Sequence, residues 1–291
     1  MPTAHLIDRA LIQVSGAEAE HFLQNILTAD LDALGEGEAK PGALLTPQGK
    51  ILFDFLISRI AGGQGFRLEC RTDIAEDFIR RLTLYKLRAK VEIGKQEEAV
   101  IAVSWGGESG SLHRTEGTAA FADLRFPPDA PVARHYGQTP PADAGISAWH
   151  AFRIESGIAE SGSDYALGDA FPHDVLLDQM GGVGFRKGCY VGQEVVSRMQ
   201  HRGTARRRVL IARAEGGSLS AHAPVTANGK SLGQLGSVSG RSGLAIVRID
   251  RVKDAMDSGA RIEADGVPVR LSIPDWANFT FPAEAALADD A

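Results

Sequence analysis

Residues 184–198 read GFRKGCYVGQEVVSR and contain the densest group of reactive side chains in the chain. A lysine, a cysteine, a tyrosine and a Gln-Glu pair fall between Lys187 and Glu194, with glycines before and among them. Apolar residues then recur every four positions, at 191, 195 and 199, which is the spacing of one helix face. The stretch therefore predicts a glycine-rich loop that leads into an amphipathic helix beginning near Gly192.

Cys189 is the candidate reactive group of this loop. It precedes the predicted helix N-terminus and lies two residues from Lys187, and both features stabilise a thiolate relative to a thiol. A loop flanked by glycines also lets backbone N–H groups approach a ligand closely. The alternative is that Cys189 is a small buried hydrophobe, as most unpaired cysteines are. The local chemistry leaves both interpretations open.

Residues 187–194, KGCYVGQE, resemble the signature of the YgfZ family, folate-binding proteins linked to iron–sulfur cluster assembly and repair. The resemblance implies that tetrahydrofolate, or a one-carbon derivative, is the cofactor and that iron–sulfur client or carrier proteins are partners. It also implies that Lys187 lowers the pKa of the Cys189 thiol, which would act at the mouth of a folate channel. The other signature side chains would bind the cofactor, hold the loop or contact a client; these are Tyr190, Gln193 and Glu194.

Asp54 is a second candidate, inside the strand predicted for residues 50–60, KILFDFLISRI. Alternation places it among apolar neighbours, where a carboxylate is costly without a partner. From the residues alone, Asp54 is either a solvent-facing aspartate or a ligand contact. Residues 11–60 are similar to the folate domain of the aminomethyltransferases, the T-protein family of glycine cleavage. That resemblance implies a catalytic role for Asp54, which would orient the folate nitrogen and its one-carbon unit.

Residues 152–157, FRIESG, resemble the Leu-Arg-Leu-Glu-Ala-Gly motif of the same superfamily. The resemblance implies that Glu155 contacts the pterin ring, whose adjacent amino group and ring N–H suit the two oxygens of a carboxylate. Arg153 is a further cofactor-binding candidate, and a structural ion pair is the alternative for it. The Trp-His pair at 149–150 departs from the Arg-Asp usual in glycine cleavage enzymes, and this departure favours the YgfZ branch.

The composition limits the classes of function. A chain of 291 residues with 44% hydrophobic and 23% charged residues is ordinary for a globular protein of two or three domains. A net charge of −6 argues against direct nucleic-acid binding. Without an apolar run near 18 residues or a recognisable targeting segment, we expect no membrane association and a cytoplasmic protein.

The cysteine count also restricts the chemistry. Cys70 and Cys189 are the two cysteines of the sequence, so the chain lacks the four thiolates of a typical resident iron–sulfur cluster. We expect Cys70, in a predicted strand, to be a packing residue. No spacing of His, Cys and Asp indicates zinc, so no metal site is predicted.

The pattern of elements predicts an α+β fold. Helices alternate with antiparallel hairpins in the first part of the chain, and residues 172–180 are predicted to form a short helix. From residue 207 onward, β-branched runs between the turns Asn228-Gly229 and Asp265-Gly266 predict an all-β barrel. With the resemblance, this implies a T-protein-like three-domain cloverleaf with antiparallel sheets, helices and a small C-terminal β-barrel.

The expected domains follow from this pattern. They are a discontinuous folate-binding domain at 1–48 and 142–203, a second α+β domain at 49–141, the barrel at 204–276 and a loose tail at 277–291. The basic run at 206–208 is either a solvated strand end or a contact for an anionic ligand tail or a partner surface.

Three functions stay open from the sequence. The first is a tetrahydrofolate-binding protein that supports iron–sulfur cluster assembly or repair in client enzymes. The second is a tetrahydrofolate-dependent aminomethyl- or methyltransferase, and the third is a non-catalytic folate-binding scaffold. The sequence does not determine whether the protein catalyses a one-carbon transfer.

Overall fold

The computed structural model of the chain describes residues 1–63, 65–97, 99–107 and 120–282. It divides into two compact units. Unit 1 comprises Met1–Trp149 and Met180–Arg198, and unit 2 comprises His150–Gln179 and Met199–Ala291. Both helices and β-sheets are present, so the predicted α+β class is confirmed.

Unit 1 is built on a β-sheet that has nine strands among the described residues. Its elements are β1 (Thr3–His5), β2 (Arg9–Ser15), α1 (Ala19–Ile26), β3 (Glu38–Leu45), β4 (Ile51–Arg59), β5 (Phe66–Arg71), α2 (Ala75–Lys86), β6 (Glu92–Lys95), β7 (Ile101–Trp105), β8 (Ala120–Asp123) and β9 (Val132–Tyr136). The strand order is β1-β7-β9-β8-β3-β4-β5-β2-β6. Neighbouring strands pair antiparallel, except that β3 and β8 run parallel.

The apolar core of unit 1 lies on one face of β4 and β5. Phe53 and Phe55 of β4 stack on Phe78 of α2, with ring centroids 4.7 and 5.5 Å apart. Cys70 of β5 is fully buried in the same core, as expected of a packing residue. Burial raises the pKa of the Cys70 thiol to about 12, and the charge of Asp54 adds to this increase.

Glu69 precedes Cys70 in β5 and points to the opposite face of the sheet. There it belongs to a group of charged and polar side chains that we call the buried charge layer. The layer consists of Arg9, Glu69, Asp123, Arg125, Arg134 and Tyr136. Glu69 accepts hydrogen bonds from Arg9 Nε at 3.0 Å, Arg134 Nη1 at 3.0 Å and the Tyr136 hydroxyl at 3.1 Å.

Asp123 is the second carboxylate of the layer. It accepts hydrogen bonds from Arg134 Nε at 3.0 Å and Arg125 Nη2 at 2.7 Å. Burial alone would raise the pKa of Asp123, but Arg125 and Arg134 outweigh it and hold the pKa below its ordinary value. These buried charges are tolerated because they pair with one another.

Unit 2 contains a closed barrel in the order β10-β13-β12-β11-β14-β15. The strands are β10 (Arg207–Ala214), β11 (Pro224–Ala227), β12 (Lys230–Ser239), β13 (Ser242–Arg248), β14 (Ile262–Ala264) and β15 (Val267–Ser272). All pairs are antiparallel, and β10 closes the barrel against β15. Asn228 and Asp265 each adopt a positive φ before a glycine, as two-residue hairpins require. The predicted barrel is confirmed.

Three further helices complete the described chain. They are α3 (Ile146–Glu155), α4 (Gln193–Arg202) and α5 (Ile249–Asp257), of which α3 and α4 each contribute residues to both units. Helix α4 agrees with the sequence prediction, whereas α5 was not predicted. No helix within the described ranges combines the length and apolar character of a membrane span.

Some expectations need correction or stay untested. Residues 172–180 form turns, and the predicted helix is wrong. The side chains of Asp174 and Asp178 are buried there and accept hydrogen bonds from nearby groups instead of facing solvent. Strands β3 and β4 pair across the expected boundary at residue 48, and the chain divides into two compact units. Neither observation tests the three expected domains, whose boundaries stay a prediction. Residues 283–291 of the expected tail lie outside the described residues.

Candidate functional site

The signature loop, which we define as residues 184–192, is anchored at its start by a buried threonine. Thr28 accepts a hydrogen bond at its carbonyl from Gly184 N at 2.8 Å. Its hydroxyl donates to the Gly182 carbonyl at 2.7 Å and accepts from Ala43 N at 2.8 Å. Thr28 therefore ties the loop to strand β3. Nothing in the sequence around Thr28 indicated this role.

Lys187 fixes the next part of the loop. Its ammonium donates to the Leu27 carbonyl at 2.8 Å and to the Ala29 carbonyl at 2.7 Å. It also lies 5.5 Å from the centroid of the Tyr190 ring, within the range of a cation–π contact. Burial lowers the pKa of Lys187 to about 8, although Asp30 and Asp32 oppose the shift.

Cys189 is exposed and free of any disulfide. The alternative that it is a small buried hydrophobe is therefore wrong. A β-carbon added at Gly188, beside it, would meet no atom within 4 Å among the described residues. Tyr190 on the other side is buried, and burial raises the pKa of its hydroxyl to about 12. The loop thus presents the thiol outward while its neighbours anchor it.

The end of the loop packs against the turn between β3 and β4. Gly192 has a φ of +79°, and a β-carbon there would lie 2.5 Å from the Thr46 carbonyl oxygen. Gly49 in the turn has a φ of +80°, and its β-carbon would lie 2.9 Å from Val195. Glycine at both positions allows the backbone of the turn to touch the start of α4.

Gln193 and Glu194 open helix α4, as predicted. Gln193 Nε2 reaches back to the Gly188 carbonyl at 3.5 Å, and Glu194 is exposed. The loop therefore brings the expected residues Lys187, Cys189 and Tyr190 together with this helix start. Cofactor binding by Tyr190, Gln193 and Glu194 stays a prediction.

Asp54 lies midway along β4 in unit 1, opposite Ala43 of β3. It is partly buried and alternates with Phe53 and Phe55, which face the apolar core. Asp54 therefore occupies the face of the sheet that carries the buried charge layer rather than the face covered by α2. The fold makes it neither a core residue nor a fully solvated one.

Arg153 in unit 2 is one of the largest fully buried side chains. Its guanidinium donates to Asp164 Oδ2 at 2.8 Å, the Ile158 carbonyl at 3.0 Å and the Ser237 hydroxyl at 2.7 Å. It also forms an ion pair with Glu160 at 3.3 Å. This geometry matches the structural ion-pair alternative, because partners within unit 2 take most of its donors.

Glu155 ends helix α3 and is about half exposed, at 48% of its side-chain surface. Its carboxylate accepts from the Ser242 hydroxyl at 2.6 Å and from Arg213 Nη2 at 2.8 Å. The hydrogen bond from Ser242 lowers the pKa of Glu155 below its ordinary value. Partial burial acts in the opposite direction and raises this pKa, but Arg213 lowers it further. Glu155 is thus an ionised acceptor, and sequence reasoning missed both of its partners.

The expected site residues divide between the two units. Asp54, Lys187, Cys189, Tyr190, Gln193 and Glu194 belong to unit 1, and Arg153 and Glu155 belong to unit 2. Among the residues with described positions, no group of three or more His, Cys, Asp and Glu side chains is arranged to hold a metal ion.

Known proteins resemble the chain at three levels. The profile of the family described as "CAF17, C-terminal beta-barrel domain" matches residues 206–279, which contain the barrel strands. In solved structures, the chain resembles the crystal structure of the glycine cleavage system aminomethyltransferase T from Bartonella henselae. The TM-score is 0.72 at 16% identity, over 95% of this chain and 86% of that one. The predicted T-protein-like fold is therefore confirmed.

Curated relatives extend over most of the chain. The mitochondrial iron–sulfur cluster assembly factor IBA57 of Mus musculus is 31% identical, covering 92% of this chain and 83% of its own. The mitochondrial IBA57 homologue of Pyricularia oryzae is 29% identical, covering 97% of this chain and 86% of its own.

The cytoplasmic localisation predicted from the sequence is contradicted by these relatives, which are named as mitochondrial proteins. That prediction rested on the absence of a recognisable targeting segment, and such an absence does not determine a compartment. At 31% identity over nearly its whole length, the chain belongs to the family of the iron–sulfur cluster assembly factor IBA57.

Proposed function

We propose that this protein binds tetrahydrofolate and supports the assembly or repair of iron–sulfur clusters in client proteins, as in the YgfZ branch that its signature resembles. The observation that carries the proposal is 31% identity over 92% of the chain to a named iron–sulfur cluster assembly factor. The exposed thiol on an anchored loop supports it, because such a thiol is accessible to another protein.

Cys189 is the residue through which we propose that the protein touches a cluster. Cys70 is fully buried in the unit 1 core and is not available to a cluster. One accessible thiol supplies one ligand of the four that a cluster typically needs. The cluster is therefore cargo, and a client or carrier protein supplies the remaining ligands.

For folate, the chemistry of the donor set fits in unit 2. Glu155 is ionised and half exposed, and each carboxylate oxygen keeps a lone pair beyond its bond to Ser242 or Arg213. It can therefore accept the paired N–H donors of a pterin edge. Asp54 is a partly buried carboxylate of unit 1. The catalytic role that the aminomethyltransferase resemblance implies for it, orienting a one-carbon unit, stays a separate proposal.

Calorimetry with tetrahydrofolate tests the folate part of the proposal. We expect saturable binding by the wild type, at least tenfold weaker binding by Glu155→Ala, and unchanged binding by the control Glu215→Ala, which removes an exposed carboxylate of the same unit. A wild type that does not bind tetrahydrofolate would contradict folate binding altogether. Equally weakened tetrahydrofolate binding in Glu155→Ala and Glu215→Ala would show that Glu155 has no specific role in binding.

Cluster transfer tests the thiol part of the proposal. A carrier protein loaded with a [2Fe–2S] cluster is mixed with the wild type, Cys189→Ala or the control Cys70→Ala, and the visible absorption of the cluster is followed together with recovery of a client enzyme. We expect loss of transfer only in Cys189→Ala. Undiminished transfer by Cys189→Ala would show that the thiol does not act.

The alternative of an aminomethyl- or methyltransferase rests on the proposed role of Asp54. It predicts one-carbon transfer from a lipoyl-bound or methylated amine donor to tetrahydrofolate, with loss of turnover in Asp54→Asn. If no such donor yields transfer while folate binds, the protein acts as an assembly factor without this reaction.

A further inference from the structure

Unit 2 contains a cavity that the folate and thiol proposals do not use. Its volume is about 880 Å³, within the range of small-molecule sites. Its walls are the end of α4 and the chain up to Arg208, one side of α5, residues 278–282, and part of residues 173–179. None of the residues expected to hold folate or the cluster lines it.

Three arginines from the segment 202–208 line the cavity. Arg202 and Arg206 are exposed, and Arg208 is buried. Arg208 Nη1 donates to the His173 carbonyl at 2.9 Å and to Asp178 at 2.7 Å. Its Nε, in contrast, is buried without a hydrogen-bond partner among the described residues. A buried donor of this kind favours a ligand that supplies an acceptor.

The acidic residues of the cavity are largely neutralised. Asp178 is paired with Arg208, Asp257 with Lys253, and Asp250 with Arg248. Asp254 is the remaining lining carboxylate. Because the other three carboxylates are paired with cations, they repel an anionic ligand less than isolated carboxylates would.

An aromatic surface adjoins these cations. The Phe279 ring lies under the Arg208 guanidinium, with the guanidinium carbon 5.0 Å from the ring centroid. Phe279 and Phe281 are partly buried and pack against the barrel core while lining the cavity. A planar apolar group can rest on these rings while an acidic group reaches the arginines.

We propose that this cavity binds a small organic anion, in which a phosphate or carboxylate group is held by Arg202, Arg206 and Arg208 and a planar apolar part packs on Phe279 and Phe281. The proposal goes beyond the proposed function and does not depend on it. It assigns the basic run at 206–208 in part to a ligand, because Arg206 and Arg208 line the cavity while Arg207 does not.

Fluorescence anisotropy with 1-naphthyl phosphate as the probe tests this assignment on the full chain. We expect saturable binding by the wild type, competition by 1-naphthoate, and much weaker competition by neutral 1-naphthol or by inorganic phosphate alone. The double variant Arg202→Gln/Arg206→Gln should bind at least tenfold more weakly. The matched control Arg207→Gln/Arg261→Gln removes the same charge outside the cavity and should bind within twofold of the wild type.

The competitors separate the two sources of the anion, since a preference for naphthoate or naphthyl phosphate identifies a carboxylate or a phosphate ligand. Equal weakening in the two double variants would overturn the proposal, because it would show attraction by net charge alone. Absence of saturable binding by the wild type would also overturn it.

A second measurement follows Arg208 itself in the wild type. The ¹⁵Nε–¹Hε signal of Arg208, assigned through its loss in Arg208→Lys, should shift on titration with the probe and follow the same binding curve. The Phe279→Leu variant, whose fold is checked by circular dichroism, should weaken binding at least threefold. A titration that saturates without moving the Arg208 signal would place the probe elsewhere and overturn the assignment.

Discussion

The buried charge layer and the signature loop both concentrate polar side chains in unit 1, but their charged groups find partners in different ways. In the layer, Glu69 and Asp123 accept hydrogen bonds from arginines, so that charges neutralise charges. In the loop, the Lys187 ammonium bonds to two backbone carbonyls, and Cys189 two residues later is exposed. A cation close to a thiol in sequence can therefore serve the backbone, and exposure rather than motif density marks the group available to a partner.

The largest expected contrast is between the two cysteines, because Cys70 adjoins Glu69 of the layer and Cys189 belongs to the loop. In the native protein, iodoacetamide should alkylate Cys189 at least about a thousandfold faster than Cys70, which reacts only when its strand opens. Mass spectrometry of peptides over time measures both rates, with Cys70→Ala and Cys189→Ala to assign them. Comparable native rates would show that the core of unit 1 is not closed.

Next in size is the effect of removing the carboxylate at the centre of the layer. Glu69→Ala leaves Arg9 and Arg134 buried without this partner and should lower the free energy of unfolding by about 3–5 kcal/mol. Urea titration followed by fluorescence and circular dichroism measures the change. The control Glu20→Ala breaks an exposed pair with Arg59 and should cost less than about 1 kcal/mol. Similar losses in both variants would mean that the layer does not stabilise the fold.

The same contrast explains which parts of the molecule the sequence could predict. The signature loop is contiguous, so its glycines, its thiol and the start of α4 are visible in fifteen consecutive letters. The charge layer is assembled from residues on separate strands, with Glu69 and Tyr136 lying 67 positions apart. Each of these residues taken alone is typical of a surface, and only strand pairing reveals that they are enclosed.

Lys187 and α5 show two other limits of the sequence. The carbonyl partners of Lys187 lie 160 and 158 positions away, so proximity along the chain suggested Cys189 as its partner instead. Helix α5 follows β13 without a break, and its buried residues Ile249, Val252 and Ala255 continue a run that is typical of strands. The three-residue spacing of those positions was the available signal, and it was masked by the β-branched residues before it.

Two glycines of the signature loop, Gly188 and Gly192, should differ in how much an alanine substitution destabilises the protein. Gly192→Ala should destabilise unit 1 by about 1–3 kcal/mol, because φ is +79° and the new β-carbon meets the Thr46 carbonyl. Gly188→Ala meets no neighbouring atom and should change stability by less than about 0.5 kcal/mol. Urea midpoints of the two variants test this. Equal midpoints would show that the packing of the loop against the β3–β4 turn does not restrain it.

The smallest expected effect is a pH dependence that comes from Lys187 itself. Burial lowers its pKa to about 8 in the folded protein, from 10.5 for an ordinary lysine. Between these values the unfolded chain binds more protons than the folded one, so the stability of the wild type should rise with pH through this window. Because the side chain is partly exposed, we expect a gain of about 1–2 kcal/mol between pH 8 and pH 10.5.

Lys187→Arg provides the matched control, since a guanidinium keeps the charge and the donors but does not lose its proton in this range. The difference in unfolding free energy between wild type and Lys187→Arg should therefore grow as the pH rises above 8, whatever other groups titrate in both proteins. Parallel curves would mean that the ammonium is as well solvated in the loop as in the unfolded chain. In that case the two carbonyls would not hold Lys187 away from water, and the loop would be free to bring its charge to the thiol.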